Sequence, residues 1–271
     1  MPFDPLFSAI EEFQVYIMAG AFALARMLGL VLLMPLFSRL RLTGLLRTGV
    51  ALALAIPLVP MLARDLESAE IGSALAVAYM LKEVVVGATI GLAMGIPIWA
   101  AEAAGDILDL QRGSTMGSLV DPMMTHETSA TGTFLAIVMM ALFLAAGGLE
   151  LMLDSAYGSY SLWPVERLFP VFSGEAGVLF LELLNQLLAM ALTMAFPLIF
   201  GMLLSDLVLA FLAKASPHLN VFALSLIVKT LVFSLVFVLY ATFLVSYMSR
   251  DLGFLRDLAR QIEAISCVSC P

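Results

Sequence analysis

Six long apolar runs dominate this sequence, at residues 13–37, 48–63, 71–101, 131–153, 176–204 and 221–248. A helix needs about 20 apolar residues to cross a bilayer. Two of the runs, 71–101 and 176–204, exceed that length enough to bend or to extend past one span. The run 48–63 is short and holds Pro57 and Pro60. The apolar residues are contiguous and do not alternate with polar ones, which argues against a membrane β-barrel. The expected fold is all-α: a polytopic integral membrane protein with kinked helices and helical hairpins. No linker rich in Gly, Ser and Pro divides the chain. Residues 1–271 read as a single membrane-embedded domain, with 249–271 a short polar C-terminal tail.

Composition narrows the class. Hydrophobic residues make up 62% and charged residues 13%, against about 45–50% and 25% in soluble domains. A soluble globular domain and a disordered chain are both excluded. The formal net charge is −8, and nucleic-acid binding would need a basic surface instead. Two cysteines, Cys267 and Cys270, cannot make a disulfide scaffold. A zinc site needs four ligands, and none stands near them in sequence. They read as free thiols on a tail. Asp4, Glu11 and Glu12 precede the first apolar run, so the N-terminus does not resemble a cleavable signal.

Topology does not count cleanly. Arg39, Arg41 and Arg47 lie between the first two runs without an acid among them. The positive-inside rule makes this loop cytoplasmic and the N-terminus external. The net acidic stretch 64–70 suits the outer face. Alternation then brings 102–127 back inside, yet that segment holds five acids and one arginine. Arg250, Arg256 and Arg260 would lie outside. Either one run is a re-entrant hairpin, or the helices do not span a bilayer in the ordinary way.

Charges inside apolar runs are costly and mark function or a buried partner. They are Arg26, Lys82, Glu83, Glu150, Asp154, Glu182, Asp206, Lys214 and Lys229. For Glu150 and Asp154, snorkelling at an interface is an equal alternative. Lys82 and Glu83 are adjacent and so point about 100° apart on a helix. They are expected to pair with other helices or other subunits, not with each other. Gly87, Gly91 and Gly95 follow at every fourth position on the stripe of Glu83. Such a stripe lets a second backbone approach closely. Pro97 comes next, and Pro35, Pro57 and Pro197 sit in comparable places; each is expected to kink a helix.

Glu102, Asp106 and Asp109 are spaced to share one helix face. They are expected to face water or a basic partner surface. A divalent cation would need further ligands at helical spacing, and none is there. The chain then breaks over Gln111, Arg112, Gly113, Ser114, Thr115, Met116 and Gly117, on to Met123 and Met124. Glycine gives such a loop mobility and methionine gives it a deformable surface. It suits a gate or plug, and equally a plain connector. Enzyme signals are weak. His126 and His218 are the only histidines, and no HExxH, GxSxG or P-loop occurs. Gly105-Asp106 lacks the glycine that would complete a GxGD pattern.

Several spaced features read together. They are Arg26 with Pro35 and Arg47; Lys82-Glu83 with Gly87 and Gly91; and Ala104-Gly105-Asp106-Ile-Leu-Asp109-Leu-Gln111-Arg-Gly113. Asp121-Pro122 and Phe196-Pro197 follow. The last is Lys214-Ala-Ser-Pro217-His-Leu219-Asn220-Val221-Phe222-Ala-Leu-Ser, with Lys229 after it. Together they resemble the FliR/SctT family of the type III secretion export apparatus. The resemblance runs over nearly the whole chain.

The resemblance implies a non-enzymatic component of the export gate at the base of a flagellum or injectisome, without cofactor or metal. It implies assembly with FliP/SctR-like and FliQ/SctS-like subunits and with an FlhB/SctU-like switch protein. Unfolded secreted proteins would be the cargo. The gate would lie in the bacterial inner membrane, its helical core partly raised above the bilayer plane, which would account for the failed topology count. It also implies that 111–124 is the plug. Met116, Met123 and Met124 would be neighbours of a seal built mainly by the SctR-type partner. The stretch Ala223-Leu-Ser-Leu-Ile-Val-Lys229 has no proline, which favours the injectisome branch over the flagellar one. A secondary transporter of a small ion or solute is the alternative, because charges at broken helices can coordinate ions. It would require internal pseudo-symmetry, and the sequence displays none.

Overall fold

The computed structural model describes residues 4–40, 42–66, 72–113, 129–167, 176–216 and 220–256. Those residues form helices and their short connections, with no strand among them. The helices are α1 (Asp4–Leu33), α2 (Pro35–Arg39), α3 (Gly44–Ala55), α4 (Val59–Leu66) and α5 (Ser73–Arg112), then α6 (Ala130–Ala145), α7 (Gly148–Leu162), α8 (Ala176–Ala215) and α9 (Val221–Asp251). Five helical stretches are long and apolar enough to cross a membrane, or six if α6 and α7 together count as one broken span. The all-α membrane architecture read from the apolar runs therefore holds.

The breaks have local causes. Pro35 opens α2 after Met34 turns extended. Pro57 sits in the 3-10 turn Ile56–Leu58 between α3 and α4. Pro97 and Pro197 stand inside α5 and α8, which continue through them. The apolar run 131–153 is not one helix. It stops at Gly147, whose φ of 76° is open to glycine and strained for other residues. Composition alone could not place that stop, because the flanking residues are equally apolar.

By packing, the chain divides into two compact units. One comprises Met1–Gly95, Leu149–Phe180 and Leu255–Pro271; the other comprises Ile96–Gly148 and Leu181–Phe254. In the first unit, α1 packs against α3 and α4. It also lies against the first half of α5. A Cβ on Gly87 would fall inside the Arg26 carbonyl, and one on Gly29 inside the Val84 carbonyl. A Cβ on Gly91 would stand 2.5 Å from the Leu30 carbonyl oxygen. The contacts step forward together, 26 with 87 and 30 with 91, so the two helices run parallel here. The expected glycine stripe is thus a backbone-to-backbone seam. Its partner glycine, Gly29, escapes a reading by spacing because no other glycine of α1 stands four residues from it. In the second unit, Gly105 on α5 meets the backbone of Gly132 on α6 in the same manner.

Candidate functional site

Each unit holds one buried polar constellation. In the first, Arg26 of α1 is fully buried, as is Glu83 of α5. The Arg26 Nε donates to Glu83 Oε2 at 2.5 Å, Nη1 to Ser159 Oγ at 2.8 Å, and Nη2 to the Trp163 carbonyl at 2.8 Å. Its guanidinium carbon lies 3.5 Å from the centroid of the Tyr160 ring. One side chain thereby ties α1, α5 and α7. Ser159 Oγ in turn donates a hydrogen bond to the Ala156 carbonyl at 2.6 Å. Buried charge persists only where the guanidinium donors find acceptors like these.

Lys82 corrects an expectation. Its Nζ lies 2.7 Å from Glu83 Oε1, although adjacent residues diverge on a helix. The long, flexible lysine stem folds back far enough to bridge the angle. The same ammonium donates to the carbonyls of Pro164, Val165 and Arg167 at 2.8, 3.3 and 3.2 Å. Tyr79 Oη donates to the Glu166 carbonyl at 2.9 Å. With Arg26 on Trp163, five consecutive carbonyls from Trp163 to Arg167 accept from side chains of α1 and α5. Non-helical backbone at membrane depth is tolerated only when its polar groups find protein or water. Here the two cations satisfy the backbone that follows α7. Sequence reasoning missed this use of Arg26 and Lys82. The available signal was Pro164, which ends α7 and frees carbonyls, beside two cations facing one acid.

In the second unit the centre is Asp109, in the last turn of α5. It is buried. It accepts from Ser129 Oγ at 2.7 Å, the Thr131 amide at 3.1 Å, Thr131 Oγ1 at 2.7 Å and Arg112 Nη2 at 2.7 Å. Ser129 Oγ also caps α6 by accepting from the Gly132 amide at 2.8 Å. The Arg112 guanidinium lies 4.7 Å from the centroid of Phe233. The expected acidic stripe is therefore split. Asp106 is exposed and Glu102 half-buried, but Asp109 turns inward to donors twenty residues further on. Equal spacing on one helix face could not reveal that α6 covers only part of it.

The loop expectation is corrected at its start. Gln111 and Arg112 belong to the end of α5, and the helix closes at Gly113 with φ 79°. Ser114, Thr115, Met116, Gly117, Met123 and Met124 lie outside the described residues. So do Pro217 and Leu219. Asn220 caps α9 by accepting from the Ala223 amide at 3.3 Å, with Val221 and Phe222 in the first turn. Asp206 and Lys229 pair within this chain, Nζ to Oδ2 at 2.8 Å, where a pairing to other subunits was open. Glu150 and Asp154 are exposed. Among the described residues, no group of three or more His, Cys, Asp or Glu is placed to hold a metal ion.

Asp109→Ala removes an acceptor shared by four donors and leaves the Thr131 amide buried without a partner. The expected local loss is on the order of 2–3 kcal/mol. Amide exchange at Thr131 and Gly132 is expected to accelerate at least about tenfold, with Asp109→Asn intermediate and amides of α1 unchanged. Equal protection in wild type and Asp109→Ala would show that the carboxylate does not hold this junction.

The sequence model of the family described as "Bacterial export proteins, family 1" matches residues 17–254. The chain is 33% identical over 235 residues to "Yop proteins translocation protein T" of Yersinia pestis, covering 86% of this chain and 90% of that protein. It is 31% identical over 227 residues to "Secretion system apparatus protein SsaT" of Salmonella typhimurium, covering 82% and 86%. It is 31% identical over 155 residues to "Flagellar biosynthetic protein FliR" of Bacillus subtilis, covering 56% and 60%.

Proposed function

Because the chain belongs to the bacterial export proteins, family 1, the FliR/SctT family, we propose that it is a non-enzymatic subunit of a type III secretion export gate. The observation that carries this reading is the family match across residues 17–254. Matches to a translocation protein and a secretion apparatus protein over more than four-fifths of the chain favour the injectisome type. The gate lies in the bacterial inner membrane, with its core partly raised above the bilayer. Its partners are SctR/FliP-like and SctS/FliQ-like subunits and a SctU/FlhB-like switch protein, and its cargo is unfolded secreted protein.

Physical support comes from the surface. α8 and α9 expose large apolar side chains along most of their length, as Phe196, Phe200, Phe211, Leu235 and Phe243 do. A contiguous apolar surface of this kind calls for lipid or protein cover. Arg26, Lys82, Glu83 and Asp109 spend their hydrogen-bonding capacity on the chain's own groups, which suits rigid registration of helices better than ion transport.

The test is expression with and without the partner subunits. Alone, the chain is expected to be unstable or aggregated in detergent. Co-expressed, it is expected to co-purify with both smaller membrane partners. A stable monodisperse monomer that gains nothing from them, or solute uptake by liposomes holding this chain alone, overturns the reading.

The plug assignment to 111–124 becomes an assignment to the segment after Gly113. The chain leaves α5 at Gly113 and returns at Ser129 within reach of the single Asp109 carboxylate, a placement suited to a segment anchored at both ends. Deleting residues 113–116 is expected to increase leak of small ions across the inner membrane when the whole complex is expressed. Leak equal to that of the intact complex makes the segment a connector only.

A further inference from the structure

A row of three aromatic rings ends at the Asp109 junction. Phe233 of α9 stacks on Phe237, one turn further along, with centroids 5.5 Å apart and planes inclined by 28°. Phe237 in turn meets Phe134 of α6 edge to face, at 6.2 Å and 63°. Phe233 is buried. The guanidinium carbon of Arg112 lies 4.7 Å from its centroid, inside the ~6 Å over which a ring face attracts a cation. Arg112 Nη2 donates to Asp109 Oδ1 at 2.7 Å, and the arginine side chain is 19% exposed. Little of its charge is left for water.

A planar guanidinium can lie against a ring and still direct an N–H at a carboxylate. The ion pair between residues three apart on one helix is weak by itself, because a long side chain must be held in one geometry. Phe233 supplies that restraint from a different helix. Asp109 depends on the result. Of its four named donors Arg112 alone is charged, and Ser129 and Thr131 give neutral hydrogen bonds. A path of direct contacts therefore runs from α9 through Phe233, Arg112 and Asp109 to the start of α6.

We propose that Phe233 is a positioning residue. Its ring holds Arg112 on Asp109, and α9 thereby fixes Gly113 and Ser129, where the chain leaves α5 and enters α6. Arg112 directly precedes Gly113, and Asp109 accepts from Ser129 Oγ. A displacement of α9 that draws Phe233 away frees the guanidinium, leaves the carboxylate to its neutral donors and loosens both points together. Leucine and methionine are apolar and of comparable bulk, but neither presents a π face to a cation, so the aromatic character of residue 233 is the part that acts. The inference rests on the assignment of the plug to the segment after Gly113, and it names the contact that regulates that segment.

The test uses the full co-expressed complex, purified in detergent for amide exchange and left in the inner membrane for ion leak. Phe233→Leu is expected to accelerate exchange at Thr131 and Gly132 by about fivefold, through loss of a partly desolvated cation–π contact. Amides of α1 are expected to stay unchanged. Phe233→Tyr keeps the ring and is expected to retain most of the protection. Phe233→Met repeats the test if the leucine variant does not assemble. In an Arg112→Gln background the same substitutions are expected to add nothing, a dependence that simple packing would not produce. Leak of small ions is expected to rise in Phe233→Leu, as in the 113–116 deletion. Wild-type exchange in the variant that assembles, equal acceleration with and without Arg112, or Phe233→Tyr as fast as Phe233→Leu each overturns the inference. If exchange responds as expected while neither Phe233→Leu nor the deletion adds leak, the positioning role stands and the plug reading falls.

Discussion

Glu83→Ala is expected to destabilise the first unit by roughly 3–5 kcal/mol, the cost of breaking a buried ion pair from one side. Among the described residues, Glu83 is the only carboxylate that Arg26 and Lys82 contact, at 2.5 and 2.7 Å. Its removal leaves two cations in an apolar interior with only the Ser159 hydroxyl, the Tyr160 ring and backbone carbonyls as partners. The damage spreads, because those cations also hold the carbonyls of Trp163, Pro164, Val165 and Arg167. Co-purified complex is expected to fall to a small fraction of wild type, and thermal aggregation in detergent to start at lower temperature. Glu83→Gln keeps the shape and one acceptor and is expected to fall between the two. Wild-type yield and thermal stability in Glu83→Ala would falsify the role given to this cluster.

The second large effect is steric. Gly87→Ala places a methyl group inside the Arg26 backbone carbonyl, and no side-chain rotation can make room. The helices must separate. Overpacking of this kind costs about 1–3 kcal/mol or more. The separation also draws Arg26 away from Glu83, so the loss is expected near the top of that range. Gly158→Ala is the matched control. Gly158 is in the interior of α7, and a Cβ there meets nothing within 4 Å. Helix propensity then favours alanine by up to about 1 kcal/mol. Thermal unfolding of the two variants side by side is expected to move in opposite directions. A Gly87→Ala protein as stable as wild type would mean that the α1–α5 seam is looser than the contacts describe.

The glycine seam and the buried cluster depend on each other. Close approach of α1 and α5 brings the Arg26 and Glu83 side chains within a single hydrogen bond. The ion pair, in turn, holds the two backbones at that spacing. This coupling makes the two expected effects non-additive, as residues sharing one network usually are. The double variant Gly87→Ala with Glu83→Ala is expected to cost less than the two single losses together.

How far the sequence reveals these features differs from residue to residue. Arg26 announces burial because apolar residues flank it on both sides, and Glu83 does so as a charge inside a long apolar run. Gly87 and Gly91 announce a close helix contact, because their period matches the helix. Asp109 is different. Its spacing from Glu102 and Asp106 puts it on an acidic face, yet Ser129 and Thr131 take it into the interior. The decisive partners lie across a segment whose length says nothing about where it returns. Lys82 misleads for another reason. Helix geometry governs its Cα–Cβ direction, but four methylenes let the ammonium turn back to the neighbouring Glu83.

By itself, the sequence determines that the chain is helical and membrane-embedded, and that its isolated charges need partners. Long apolar runs and the cost of burying charge follow from composition and order along the chain, so they can be read without coordinates. Only the tertiary structure decides which partner each charge takes. Arg26 and Lys82 could have met any acid or carbonyl within reach. They meet Glu83 and the carbonyls of Trp163, Pro164, Val165 and Arg167 because α1, α5 and α7 converge there. That convergence depends on glycine contacts between elements far apart in sequence. Local propensity carries no information about it, since each helix would form equally well beside a different neighbour.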